Sequence, residues 1–210
     1  MSKKKLLLTL AITLFLLFVY FSYLVHKGKF NQLDFDTTVR LQDHISHRFD
    51  FPFSILSVVG SAEISGLIWV GVLIYFLLKR YYKTVVLLFL FWGGVALELY
   101  GKVFVYHPAP PYMFYRGAIK FAFPSSYVNE TYSYPSGHSI RLTYLAVLIL
   151  TYLYLSKFKT HRLLLQFVMI GFLVAVYISR IYLGEHWFSD VVGGAMLGGS
   201  LAMITALSLP

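Results

Sequence analysis

Six stretches of this chain, at about residues 6–25, 56–78, 84–104, 139–156, 163–182 and 188–208, are almost continuously apolar. Each is roughly 20 residues long, the length at which a helix crosses the ~30 Å hydrocarbon core of a bilayer. Only 13% of the residues are charged, against about 25% in a soluble domain. The fold class expected is an all-α integral membrane protein. It has six transmembrane helices in one domain covering residues 1–210.

Charge placement orients those helices. The chain carries 18 basic and 9 acidic residues. Lys3, Lys4, Lys5, Lys79, Arg80, Lys83, Lys157, Lys159 and Arg162 fall in three acid-free patches: before the first span, between the second and third, and between the fourth and fifth. This is the positive-inside pattern, not a footprint for nucleic acid, and no nucleic-acid partner is expected. Both termini are expected in the cytoplasm, with segments 26–55, 105–138 and 183–187 outside. The first span exceeds a signal-peptide core and has no cleavage site after it, so it reads as a retained anchor. Without cysteine, disulfides and thiolate metal sites are excluded.

The outer segments differ in kind. Residues 26–55 mix charges with Leu41, Ile45 and Phe49 at helical spacing, as in an amphipathic helix lying on the membrane interface. Residues 105–138 contain Pro108, Pro110 and Pro111, which break a helix, and a loop this long in so small a protein is usually functional. Tyr106, Tyr112, Phe114, Tyr115, Phe121 and Phe123 suit an aromatic belt or lid at the boundary.

Ionisable residues at membrane depth are costly and mark function by default. Four groups stand near the outer ends of the spans: Glu98 with Lys102, Ser136 with His138 and Arg141, Ser179 with Arg180, and His186 with Asp190. Bundle packing would bring them together. His186 and Asp190, four apart at a helix start, share a face, so the carboxylate can orient the ring and leave its other nitrogen bare as nucleophile or base. The plainer alternative is a pair that only stabilises the helix start. In "YPSGHS", Gly137 admits a close backbone approach, and the helix start after it offers free amides to an anion. The alternative there is an N-cap by Ser136 or Ser139. Arg180 and Lys102 suit a phosphate cradle, against snorkelling for Arg180 and an ion pair with Glu98 for Lys102.

"PSGH" (135–138) and "SRIYLGEHWFSD" (179–190) resemble the second and third signatures of the type 2 phosphatidic acid phosphatase (PAP2) family, PSGH and SRxxxxxHxxxD. The resemblance runs from about residue 84 to the C-terminus. The first signature, KxxxxxxRP, reads "KVFVYHPAP" here: Lys102 and Pro110 match, but Ala109 stands in place of the arginine. His107, Arg116 and Arg141 are the candidates to substitute for it. The resemblance implies attack on phosphorus by His186, oriented by Asp190, giving a phosphohistidine. His138 then serves as acid and base, and Lys102, Arg180, Ser136 and the Gly137 amide hold the phosphate oxygens. It implies no cofactor and no metal.

The expected substrate is a membrane lipid phosphate or pyrophosphate held at the extracytoplasmic face: phosphatidic acid, phosphatidylglycerol phosphate, or a polyprenyl pyrophosphate such as undecaprenyl pyrophosphate. An outward site favours the last. Alternatives are a phosphotransferase on the same site, a non-catalytic lipid-phosphate binder suggested by Ala109, a metal-dependent hydrolase with His138, His186 and Asp190 as ligands, and a transporter. Charges clustered at one face, with no relay across the bilayer, count against the transporter.

Overall fold

The computed structural model describes residues 3–119, 132–155 and 162–209, and there is no strand among the described residues. Its α-helices are, in order, α1 (Lys3–His26), α2 (Asn31–His44), α3 (Asp50–Val59), α4 (Ala62–Leu78), α5 (Tyr82–Leu88), α6 (Leu90–Phe104), α7 (Gly137–Leu155), α8 (Arg162–Tyr182) and α9 (Phe188–Ala206). Phe121, Phe123, Lys157 and Lys159 lie outside the described residues.

Among the described residues, five stretches are by themselves long and apolar enough to cross a membrane: Lys4–His26, Tyr82–Phe104, Gly137–Leu155, Arg162–Tyr182 and Phe188–Ala206. The region expected as a span over 56–78 falls in a pair of helices, α3 and α4, bent by 47° at a short break, which together are long and apolar enough to count as a sixth. The cause is local. Gly60 ends α3, and the Ser61 hydroxyl accepts from Ile64 N (3.3 Å) to cap α4, so the hydrogen-bond ladder restarts instead of continuing.

Leu67, Leu78, Val86, Leu163 and Phe167 are exposed on the helix flanks, an apolar surface that suits lipid and not water. Away from the polar end of the bundle, several interior polar groups pair with one another, as suits a lipid setting. Trp69 Nε1 donates to the Leu88 carbonyl (3.0 Å), Tyr144 and Thr205 share a hydroxyl bond (2.7 Å), and Thr143 and Tyr177 join α7 to α8 (2.5 Å).

The core centres on α9, whose small residues let α7 come to backbone contact. A Cβ at Gly194 would lie 2.5 Å from the Ser136 carbonyl oxygen, and one at Gly198 2.2 Å from that of Ile140. Gly198→Ala is therefore expected to force the helices apart and cost about 1–3 kcal/mol. Thermal unfolding in detergent checks this against Gly171→Ala on α8, where a Cβ meets nothing within 4 Å and the melting temperature should hold or rise.

On α2, Asp34 and Thr38 face inward and are buried, while Leu33 and Phe35 are exposed. Its Gln42 side chain donates to the carbonyls of Phe114 (2.7 Å) and Tyr182 (2.8 Å), fastening the helix to the loop beside the site. Phe114, expected at the membrane boundary, is buried against Phe35 and Trp187.

Candidate active site

The last turns of α6 and α8 and the first turns of α7 and α9 meet at one end of the bundle. On α6, Lys102 Nζ lies 2.9 Å from Glu98 Oε1, the i,i+4 pair expected from spacing. Arg141, on α7, places Nη1 2.6 Å from the other Glu98 oxygen and directs Nε and Nη2 at the Gly60 carbonyl (3.4 and 3.2 Å). A Cβ at Gly137 would sit 1.8 Å from Glu98 Oε1, so this carboxylate lies directly against the start of α7. Only glycine leaves it room.

His138 stands on the next residue, half-buried, with Gly60 so close that a Cβ there would lie 2.6 Å from its ring. Its ring centroid is 6.5 Å from that of His186, with the planes at 61°.

The turn between α8 and α9 presents His186. Gly184 has φ +67°, and its backbone runs so near Phe114 that a Cβ would lie 2.3 Å from the Phe114 carbonyl oxygen. Glycine takes that conformation without strain. The chain then folds back, and the amides of Glu185 and His186 both donate to the Arg180 carbonyl at 3.2 Å. Arg180 does not snorkel. It is 4% exposed, its Nη1 pairs with Glu185 and Ser57, and its Nε has no partner among the described residues.

Asp190 is fully buried and saturated with donors. Oδ2 accepts from Trp187 N (2.9 Å) and faces His186 Nδ1 (3.3 Å), while Oδ1 faces His107 Nδ1 (2.9 Å). Its carbonyl accepts from Ser136 N (3.0 Å), tying α9 to the PSGH segment. Burial pulls the His186 pKa below its usual value and the nearby Arg180 charge adds to this, while the Asp190 hydrogen bond opposes both. The ring is therefore neutral at pH 7, with Nε2 on the side away from Asp190. Ser136 and Ser139 do not act as helix caps: both hydroxyls are buried and without a hydrogen-bond partner among the described residues. A buried hydroxyl in that condition is costly unless something else binds it.

The arrangement thus gathers Lys102, Ser136, Gly137, His138, Arg141, Arg180, His186 and Asp190. The three residues considered for the place of Ala109 separate. Arg116 lies over the Tyr182 ring (5.2 Å) and donates to the Gln42 carbonyl (3.1 Å), engaged with the loop. His107 is held between two carboxylates. Arg141 sits one turn after His138 and shares Glu98 with Lys102. Ala109 itself is exposed. Among the described residues, no three or more His, Asp or Glu side chains are grouped as metal ligands.

Sequence reasoning missed Asp34 and Ser57. Asp34, Thr38 and Gln42 do form a polar i,i+4 series on one face of α2, which was the available signal. Ser57 offered none.

Helices that expose apolar flanks and bury a histidine and cation cluster define a multi-pass membrane protein with a polar site at one end of its bundle. A family model of the PAP2 superfamily matches residues 83–210, and the chain belongs to that superfamily. It is 36% identical over 72 residues to phosphatidylglycerophosphatase B of Bacillus subtilis (strain 168), a match covering 33% of this chain and 36% of that relative's length. The fold is similar to the crystal structure of a transmembrane PAP2-type phosphatidylglycerolphosphate phosphatase from Bacillus subtilis, with TM-score 0.74 and 21% identity over 93% of each chain. It is also similar to that of Aquifex aeolicus LpxE, with TM-score 0.60 and 20% identity over 82% of this chain and 94% of the other.

Proposed function

We propose that the protein is a lipid phosphate phosphatase working through a phosphohistidine. The observation that carries this is the pair of orphaned donors, Ser136 Oγ and Arg180 Nε, buried beside a neutral His186 that Asp190 orients and His138 faces. A phosphate is the anion these donors suit. His186 Nε2 attacks phosphorus, and the bond from phosphorus to the leaving oxygen breaks as His138 gives that oxygen a proton. Water then gives a proton to His138 and attacks phosphorus, the P–N bond breaks, and inorganic phosphate leaves with His186 restored. Lys102, Arg180, Ser136 and the Gly137 amide hold the equatorial oxygens, where charge concentrates.

Arg141 takes the place of the guanidinium absent at Ala109. It is the candidate nearest His138 in the chain, and the one already sharing a carboxylate with Lys102. These fixed cations neutralise the phosphate, so no metal is required.

Six spans with both termini in the cytoplasm put the site at the extracytoplasmic face, a reading supported by the acid-free basic patches. There α2 lies along the interface, its exposed Leu33 and Phe35 toward lipid and Asp34 inward. The likeness to phosphatidylglycerophosphatase B favours phosphatidylglycerol phosphate as substrate, ahead of phosphatidic acid and polyprenyl pyrophosphate.

The test is phosphate release by the detergent-purified protein from these three lipids, with chelator present. Chelator-resistant release, fastest from phosphatidylglycerol phosphate, is expected. Loss of release with chelator would overturn the metal-free scheme. Tight lipid binding without any release would instead make the protein a binder.

A further inference from the structure

Behind Asp190, on the side away from His186, lies a second buried cluster that the proposed chemistry does not touch. His107 is 3% exposed, Asp34 1%, and Ser189 and Asp190 are fully buried. The His107 ring reaches Asp190 through Nδ1 (2.9 Å) and Asp34 through Nε2 (3.3 Å). Asp34 is fixed in turn by Ser189, whose amide and hydroxyl each donate to it at 2.8 Å. On the last face, the His107 carbonyl accepts from Ser133 N (3.0 Å), and the Tyr134 ring stands edge-on at 6.3 Å. Three segments far apart in the chain, α2, the loop after α6 and the start of α9, therefore converge on one imidazole.

We infer that His107 and Asp34 form a positioning unit that holds Asp190 against His186, a role that rests on the phosphohistidine reading above. A buried carboxylate facing neutral rings alone would be an uncompensated charge, which a protein interior tolerates poorly. An imidazolium at His107 compensates Asp190, and Asp34 keeps that imidazolium charged. Burial works against the charge on His107, but the hydrogen bonds and charges of Asp190 and Asp34 outweigh it and raise its pKa to about 9. With Oδ1 held by His107 and Oδ2 by Trp187 N, the carboxylate has one orientation left for His186. Second partners of an oriented histidine act in this way elsewhere.

The sign of the pH effect follows. Below about pH 9 His107 is charged and the unit is intact. Above it the proton is lost, Asp190 loses its counter-charge, and turnover falls. Asp34→Asn removes one of the two carboxylates that raise this pKa, so the alkaline limb moves to lower pH by about 1 unit.

The experiment measures kcat and KM for phosphate release from phosphatidylglycerol phosphate across pH for the wild type, Asp34→Asn and His107→Gln. Asp34→Asn is expected to shift the limb with KM nearly unchanged. His107→Gln is expected to lower kcat about 10–100-fold, the usual cost of losing such an outer partner, and to abolish the limb. If His107→Gln fails to fold, Asp34→Asn still reads the limb. An unmoved limb in Asp34→Asn overturns the positioning role and leaves the phosphatase reading standing. A folded wild type that releases phosphate from no lipid overturns the phosphatase reading, and this role with it.

Discussion

His186→Ala is expected to reduce phosphate release by about 10⁴-fold or more, the scale seen when the attacking group is removed from residues that act as a unit. The physical reason is that its Nε2 has no stand-in. His138 faces the same space from 6.5 Å away, ring to ring, but no carboxylate is seen orienting it among the described residues. Quenching with alkali after exposure to radiolabelled substrate is expected to trap label on the wild type and none on His186→Ala. His138→Ala should still accept label from a substrate with an activated leaving group, and hold it longer, because water then lacks its base. Label on His186→Ala but not on His138→Ala would reverse the two roles. Because burial holds the His186 pKa below its usual value, the ring stays unprotonated and competent through neutral pH. Turnover should fall on the acid side only at pH values below the ordinary histidine range, as the nucleophilic lone pair takes a proton.

Asp190→Asn is expected to cost on the order of 10³–10⁴-fold in kcat, with KM little altered, since an amide keeps the shape but favours the wrong tautomer of the histidine it touches. The effect should be near the top of that range here. The same substitution removes the negative charge that compensates His107, while Oδ1 and Oδ2 together now serve two rings and the Trp187 amide. Steady-state kinetics on variant protein that melts as a single folded species checks this. A kcat within tenfold of the wild type would show that Asp190 does not orient the nucleophile.

The parts of the site legible in the sequence are those whose partners are near in the chain. His186 and Asp190, or Glu98 and Lys102, are four apart, and helix geometry alone puts such residues on one face. The bend at Gly60 and Ser61 was hidden because apolar composition continues through it, and hydropathy does not sense where a hydrogen-bond ladder restarts. Asp34 was hidden by its setting on a helix that looked superficial, since exposed and buried polar residues have the same letter. The serine caps failed for a related reason: a hydroxyl at a helix start caps it only when its rotamer turns back to the amides, and those of Ser136 and Ser139 do not.

By itself, then, the sequence determined the class of this protein. Apolar runs of membrane length require helices in lipid, and two local signatures bring histidines and cations to helix ends. Only the tertiary structure decided the pairing among them: Arg141 with Glu98, Arg180 with Glu185 and Ser57, and His107 between Asp34 and Asp190. Those choices depend on how closely helices far apart in the chain approach, and at α7 and α9 that approach is set by glycines whose missing side chains let backbone meet backbone.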